Sequence, residues 1–281
     1  MKVIVNEQPS LYMGVIEDVA KVYMAVFGET EGVYEGGVRP DGATIPLSQY
    51  AGYITQEEGI SMSLQPNTRE IIDFIDWFEN LPTVRQLYLM DEAERISGGY
   101  RPYYRYQDVV SRFKQDLTPS VDSVPIITYW GDAEYPVCGF VTQNVVRTPD
   151  AFQTRLDAIP ILSQREKEQI MSHLRTIRAE YPIMFGLEGA VVPERAGKRN
   201  GSKWNHLLLE FYRGALDLGA ELSIAITFLE SKYYTNSIKN NVFIVDLPVI
   251  SDKNEHSMRF VVLDLNVSYA RLIERMERDV N

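Results

Sequence analysis

A segment that carries basic residues and glycines separates an apolar strand-like stretch from a helix-like one, and this arrangement could bind an anion. Its glycines, basic residues and amide, together with the residue that opens the helix-like stretch, are Gly197, Lys198, Arg199, Asn200, Gly201 and Ser202. The first N–H groups of a helix have no partner within it, and the helix dipole favours negative charge there. Phosphate oxygens therefore bind at helix starts, and loop amides can add further donors. The alternative is an ordinary surface connection.

Known phosphate motifs do not describe this segment. It lacks the Gly-Lys-Ser/Thr end of a P-loop after four spacers, and it lacks the Gly-x-Gly-x-x-Gly of a dinucleotide site. No His-x-x-x-His or paired-cysteine pattern indicates a metal, so we expect none, and no Gly-x-Ser-x-Gly elbow indicates a hydrolase. The remaining interpretation is an anion site of another kind.

Cysteine and histidine are isolated in the sequence. Cys138 is the single cysteine and lies in an apolar stretch without a nearby histidine, which indicates a small core residue and excludes an intramolecular disulfide. His173 and His206 fall in helix-like stretches and are expected at helix surfaces or contacts. His256 lies in a polar loop-like stretch. None of them predicts nucleophilic catalysis.

The composition is that of an ordinary globular chain with an acidic balance. The 281 residues include 28 basic and 39 acidic side chains, a formal net charge of −11, and 45% are hydrophobic. This excludes a disordered chain, a collagen or a coiled-coil rod, and argues against a nucleic-acid partner. An acidic surface fits plain solubility or a cationic substrate.

No apolar run approaches the ~20 residues of a membrane span. The N-terminus turns polar too soon for a signal peptide, so we expect a cytoplasmic protein.

Apolar periodicity, capping patterns and turn residues predict a chain of helices and strands. Helices are predicted over 13–27, 67–81, 108–117, 163–180, 202–218, 231–240 and 268–278. Strands are predicted over 45–53, 60–64, 125–130, 137–146, 185–192, 222–228, 242–246 and 259–266. This mixture indicates an α/β or α+β fold in which helices flank a mixed central sheet.

The segment and its surroundings resemble the acyl-CoA-binding motif of the GNAT superfamily of N-acyltransferases. In that family a strand ends in Val-x-Pro-Glu, an Arg/Gln-x-x-Gly-x-Gly/Ala loop follows, and a long helix begins. Here Val191-Val192-Pro193-Glu194 matches the strand end, and 196–201 falls on the loop. The resemblance covers residues 8–30 and 105–270 and implies one GNAT-like domain over 1–281. Residues 31–104 would be an insertion or an enlarged N-terminal region within it.

Three positions depart from the family pattern. Ala196 stands at the family's first loop position, Arg199 at its central glycine, and Ser237 near its frequent tyrosine. The side chain of Arg199 could obstruct the approach of backbone to the pyrophosphate, or could itself bind phosphate. The resemblance therefore implies two alternatives, an active acyltransferase or a catalytically inactive GNAT-fold binding or regulatory protein.

The resemblance also implies a reaction and its residues. Acetyl-CoA or another acyl-CoA would be the co-substrate, with its pantetheine arm between strands 185–192 and 222–228. Its phosphates would meet residues 197–202, and its arm would pair with the backbones of Ala190, Val191 and Val192. An acyl group would pass directly to a small-molecule or protein amine. Glu188 would be the general base and Tyr233 or Tyr234 the general acid, unless these three are a structural carboxylate and packed rings. A homodimer is compatible with this interpretation.

Overall fold

A mixed sheet forms the centre of the chain in the computed structural model. The structure describes residues 2–5, 13–28, 44–58, 63, 66–102, 105–159, 162–177, 179–192, 195, 202–228, 243–249 and 258–280. The strands are β1 (Lys2–Val5), β2 (Thr44–Ile45), β3 (Arg101–Pro102), β4 (Ser123–Trp130), β5 (Gly139–Val146), β6 (Ile183–Val191), β7 (Leu222–Phe228), β8 (Phe243–Val249) and β9 (Met258–Asp264). Seven of these described strands form one sheet in the order β1-β4-β5-β6-β7-β9-β8, and β2 pairs separately with β3. Within the large sheet the pair β6–β7 is parallel and the other pairs are antiparallel.

Helices cover both faces of the sheet. They are α1 (Met13–Phe27), α2 (Leu47–Glu57), α3 (Thr68–Glu79), α4 (Thr83–Ser97), α5 (Tyr106–Asp116), α6 (Pro149–Asp157), α7 (Gln164–Thr176), α8 (Ser202–Asp217) and α9 (Leu265–Val280). On one face, Phe113 of α5 meets Phe140 of β5 with the ring centroids 5.8 Å apart. On the same face, Phe152 of α6 meets Phe185 of β6 at 4.4 Å. Helix α8 packs against β4 and β5 on the other face, and α9 packs against α8.

Burial on both faces explains the composition of the central strands. Every residue of β4 and β5 is buried, so apolar residues occupy both faces of these strands instead of alternating with exposed polar ones. The predicted mixed α/β fold with flanking helices is confirmed. Within the described residues, none of the helices combines the length and the apolar character needed to cross a membrane.

Most predicted elements around the candidate loop agree with the structure to within a few residues at their ends. The two capping boxes, Asn67 with Glu70 and Ser163 with Glu166, form as the sequence predicts. Cys138 is fully buried, and this burial raises the pKa of its thiol to about 12, so it is a neutral core residue as expected.

The predicted strand over 45–53 is wrong. Only Thr44–Ile45 is strand, and α2 follows from Leu47. The buried apolar residues of α2 recur at helical spacing and are Leu47, Tyr50, Ala51 and Ile54. Of the predicted strand over 60–64, Ser63 is described and belongs to no strand, and the predicted helix over 231–240 lies outside the described residues. Helices α4 and α6 and strand β1 were not predicted.

The described part of the predicted insertion packs into the main core. Ile54 of α2, Ile71 of α3 and Leu89 of α4 are buried in the same apolar cluster as Val19 of α1 and Phe140 of β5. Whether residues 31–104 count as an insertion within one domain stays a prediction.

Candidate functional site

The parallel strands β6 and β7 pair over a short stretch and then separate. Ile183–Phe185 pairs with Leu222–Ile224. Beyond it, β6 continues only against β5, and Ala225–Phe228 continues only against β9. Two interior strands thus present backbone edges that no other described strand fills. This opening, with Leu187–Val191 on one edge and Ala225–Phe228 on the other, is called the β6–β7 gap.

A β-bulge in β6 lies where the two strands separate. Phe185 pairs with Asn144 and Glu188 with Thr142, so two residues of β6, Gly186 and Leu187, stand opposite the single residue Gln143. Gly186 has a φ of +75°, the left-handed region that glycine adopts without a Cβ penalty. A bulge bends its strand and increases its twist, which accounts for the departure of β6 from β7.

Hydrogen bonds beyond the bulge decide which backbone groups face the gap. The N–H of Val192 donates to the carbonyl oxygen of Cys138 at 2.8 Å, and the carbonyl of Val192 accepts from the N–H of Arg195 at 2.9 Å. Successive residues of a strand direct their backbone N–H and C=O groups to opposite neighbours, so those of Ala190, like the N–H of Val192, point to β5. Gly189 and Val191 direct their N–H and C=O groups to the gap. Of the predicted backbone partners Ala190, Val191 and Val192, Val191 therefore lies in the position to bind a ligand, and Gly189 joins it.

The start of helix α8 lies directly over this edge of β6. A Cβ atom on Gly189 would lie 2.7 Å from Cη2 of Trp204 and 2.9 Å from the carbonyl oxygen of Phe140. Glycine is thus needed for the close approach of the first turn of α8 to the strand. Helix α8 begins at Ser202, two residues before Trp204, so its first N–H groups, which have no partner within the helix, start close to this contact with β6.

Three consecutive buried polar residues lie on β5, the strand that pairs with β6 on the side away from the gap. Thr142, Gln143 and Asn144 are 6%, 3% and 7% exposed. Within the described part of the chain, neither amide atom of Gln143 has a hydrogen-bond partner. Buried polar atoms are rarely left unpaired, so Gln143, opposite the bulge, is a candidate to meet a polar group of a ligand. The sequence analysis missed these residues, although a polar triplet inside an apolar strand was the available signal.

The predicted site residues divide into two groups. The structure places Glu188, Ala190, Val191 and Val192 in sequence along one end of β6 and just beyond it, and α8 begins at Ser202. The other predicted residues lie outside the described part of the chain: Tyr233, Tyr234, Gly197, Lys198, Arg199, Asn200 and Gly201. The roles of the residues in both groups stay predictions.

Comparisons with known proteins return structural likenesses. No family model and no curated protein matches the chain. A putative phosphinothricin N-acetyltransferase is 13% identical, with 58% of this chain and 78% of that chain covered and a TM-score of 0.34. A putative GNAT-family acetyltransferase from Desulfovibrio desulfuricans is 13% identical, with 57% and 80% covered and a TM-score of 0.35. A CoA-dependent acyl-homoserine lactone synthase, solved with SAM and isopentyl-CoA, is 16% identical, with 56% and 66% covered and a TM-score of 0.35.

At TM-scores this low, we take neither fold nor function from the likenesses. The chain's own sheet supports the fold, because the order β6-α8-β7 and the separation of β6 from β7 are those that the sequence resemblance implied. The fold is GNAT-like. The GNAT-like sheet puts the gap, the bulge and the start of α8 in one place.

Proposed function

We propose that this chain is an acyl-CoA-dependent N-acyltransferase, which transfers an acetyl or other acyl group directly to an amine. The observation that carries the proposal is the β6–β7 gap. A pantetheine arm is extended and bears amide groups, so it can pair with the free edge of β6 as an added strand would. Gly189 and Val191 supply the backbone groups for this pairing.

The rest of the cofactor follows from the position of the arm. Its pyrophosphate would bind residues 197–201 and the first N–H groups of α8, where the helix dipole favours negative charge. Lys198 and Arg199 would add charge-assisted contacts. The thioester would lie toward the bulge at Gly186, close along the strand to Glu188.

The proposed chemistry needs one base, one acid and two bound substrates. Glu188 takes a proton from the amine, directly or through one water, and the nitrogen forms a bond to the thioester carbon. A backbone N–H of β6 stabilises the carbonyl oxygen during the attack. The C–S bond then breaks, and Tyr233 or Tyr234 protonates the leaving thiolate. Much of the rate comes from holding amine and thioester together.

The acceptor is proposed to be a small-molecule or protein amine. The net charge of −11 favours an acceptor that is cationic before it loses its proton. Polyamines, aminoglycosides and lysine-containing peptides are therefore the first acceptors to assay.

Thermal unfolding with acetyl-CoA tests the proposal. A ligand that binds only the native state at 100 times its Kd stabilises the protein by about 2.7 kcal/mol, so the midpoint should rise. ATP, which bears phosphates but no pantetheine, is the control and should raise the midpoint less. No rise with acetyl-CoA, longer acyl-CoA or free CoA would contradict the proposal. A rise without acylation of any amine would favour the inactive binding or regulatory protein instead.

A further inference from the structure

Two indole rings lie on the face of the sheet that α8 covers. Trp130 of β4 stands opposite Gly139 of β5, and a Cβ atom on this glycine would overlap the ring of Trp130. Trp204 of α8 lies over Gly189 of β6, which is the next strand toward the gap. Trp130 is 8% exposed, whereas Trp204 is partly buried against the core. The ring of Trp204 is thus the one of the two that borders the β6–β7 gap.

The orientation of Trp204 follows from which of its atoms reach the strand. Helix α8 packs against β4 and β5, so the backbone of Trp204 lies on that side of the gap. The ring atoms nearest to a Cβ on Gly189 are Cη2, at 2.7 Å, and Cζ3, at 3.0 Å. These atoms are among those farthest from the bond that joins the indole to the main chain. The ring therefore extends outward from α8, and its tip lies over the residue whose backbone faces the gap.

A ligand that pairs with β6 would meet this ring. Neighbouring strands of a sheet lie about 4.8 Å apart, so a chain paired with Gly189 would pass within van der Waals reach of the ring tip. On the other edge of the gap, the first residue beyond the paired stretch is Ala225, whose side chain is a single methyl group. A ligand in the gap would therefore gain its larger apolar contact on the α8 side.

The pantetheine arm has one segment that suits such a contact. Between its two amides and the pyrophosphate lies a carbon that bears two methyl groups. With the thioester toward the bulge at Gly186, the part of the arm nearer the phosphates passes Gly189. Three residues of strand span about 10 Å, which is close to the length of an extended arm from its sulfur to the dimethyl carbon. The dimethyl group would thus lie beside the tip of Trp204.

We propose that the indole of Trp204 packs against the dimethyl group of the arm and thereby selects pantetheine thioesters. The inference rests on the proposed function for its ligand. Burying two methyl groups against a ring is favourable because both apolar surfaces leave water. Backbone hydrogen bonds alone would accept any extended chain that bears amides. The ring adds a requirement for the branched apolar segment.

Titration calorimetry with two matched thioesters tests this inference. One is acetyl-pantetheine, and the other is its analogue in which hydrogen atoms replace the two methyl groups. Wild type should bind acetyl-pantetheine roughly tenfold more tightly than the analogue, the effect expected for burial of two methyl groups. Trp204→Ala should bind the two nearly equally. Trp204→Phe keeps an aromatic ring in the core but lacks the outer ring atoms, so it should fold and show a smaller preference than wild type.

Trp77→Ala is the matched control, because it removes a partly buried indole from α3. It should keep the wild-type preference even where thermal unfolding shows a lower stability. Indole emission gives an independent readout. Acetyl-CoA should change the tryptophan emission of wild type, and this change should persist in Trp77→Phe and be smaller in Trp204→Phe.

The outcomes separate this inference from the proposed function. If wild type binds acetyl-CoA but does not distinguish the two thioesters, the inference is overturned and the proposed function stands. The same holds if Trp204→Ala weakens both thioesters by one factor and so keeps the wild-type preference, because the ring is then structural. An unchanged emission response in Trp204→Phe would also overturn the inference. If wild type binds neither acetyl-CoA nor either thioester, the proposed function and the inference both fail.

Discussion

Replacing Glu188 with glutamine should lower the acylation rate by about 10² to 10⁴, the contribution of a positioned general base. The amide keeps the shape of the carboxyl group and removes the group that accepts the proton. Acyl-CoA affinity should be unchanged, because in the proposed complex the arm would be held by backbone groups of Gly189 and Val191. The measurement is kcat and KM for acetyl-CoA, with an amine found in the acceptor assays.

The pH profile adds an independent readout for Glu188. A carboxyl base works only when deprotonated, so the wild-type rate should fall as the pH drops through the pKa of this group. The glutamine variant should lose that acidic limb. Glu180→Gln, an exposed glutamate that precedes β6, is the matched control and should keep both rate and profile. If Glu188→Gln keeps the wild-type rate and the acidic limb, Glu188 is not the base. The amine would then lose its proton to water or to a tyrosine.

Replacing Val191 with proline should weaken acyl-CoA binding roughly tenfold or more. Proline removes one N–H from the gap edge, a hydrogen bond that contributes ~0.5–1.5 kcal/mol, and puts a ring carbon where the arm would lie. Folding should survive, because proline is tolerated where a strand's N–H has no partner strand. Calorimetry with acetyl-CoA gives the affinity, and thermal unfolding gives the stability.

Two further variants interpret the proline result. Val191→Ala removes most of the same side chain, keeps the N–H, and should bind acetyl-CoA nearly as wild type does. Ala190→Pro removes an N–H that faces β5, so it should lower stability much more than Val191→Pro does. Equal affinity in Val191→Pro and wild type would mean that the arm does not pair with this edge of β6.

The sequence predicts the elements nearest the site well because their signals are local. The strand before Pro193, the helix up to Gly219 and the strand from Leu222 each have clear periodicity and clear ends. The stretch from Ile45 is predicted wrongly, because a short apolar run with β-branched and aromatic residues fits a strand as well as a helix.

The features that give the site its geometry depend on pairings that one sequence does not reveal. In the sequence, nothing distinguishes Gly186 from any other strand glycine. It belongs to a bulge because Gly186 and Leu187 both stand opposite Gln143 in the sheet register. Arg69 and Glu134 meet across 65 residues of chain, and neither residue type is unusual where it stands. Such contacts are set by tertiary packing, so the resemblance implied the gap, whereas the bulge that causes it could not be predicted.

Hydrogen exchange of the sheet with and without saturating acetyl-CoA tests the central claim, that the β6–β7 gap holds the acyl-pantetheine arm. The account predicts slower exchange at the N–H groups of Gly189 and Val191, because the arm would occupy them. Exchange along β4, which pairs on both sides within the sheet, should stay the same. Slower exchange elsewhere in the chain, with no change at Gly189 and Val191, would contradict the account.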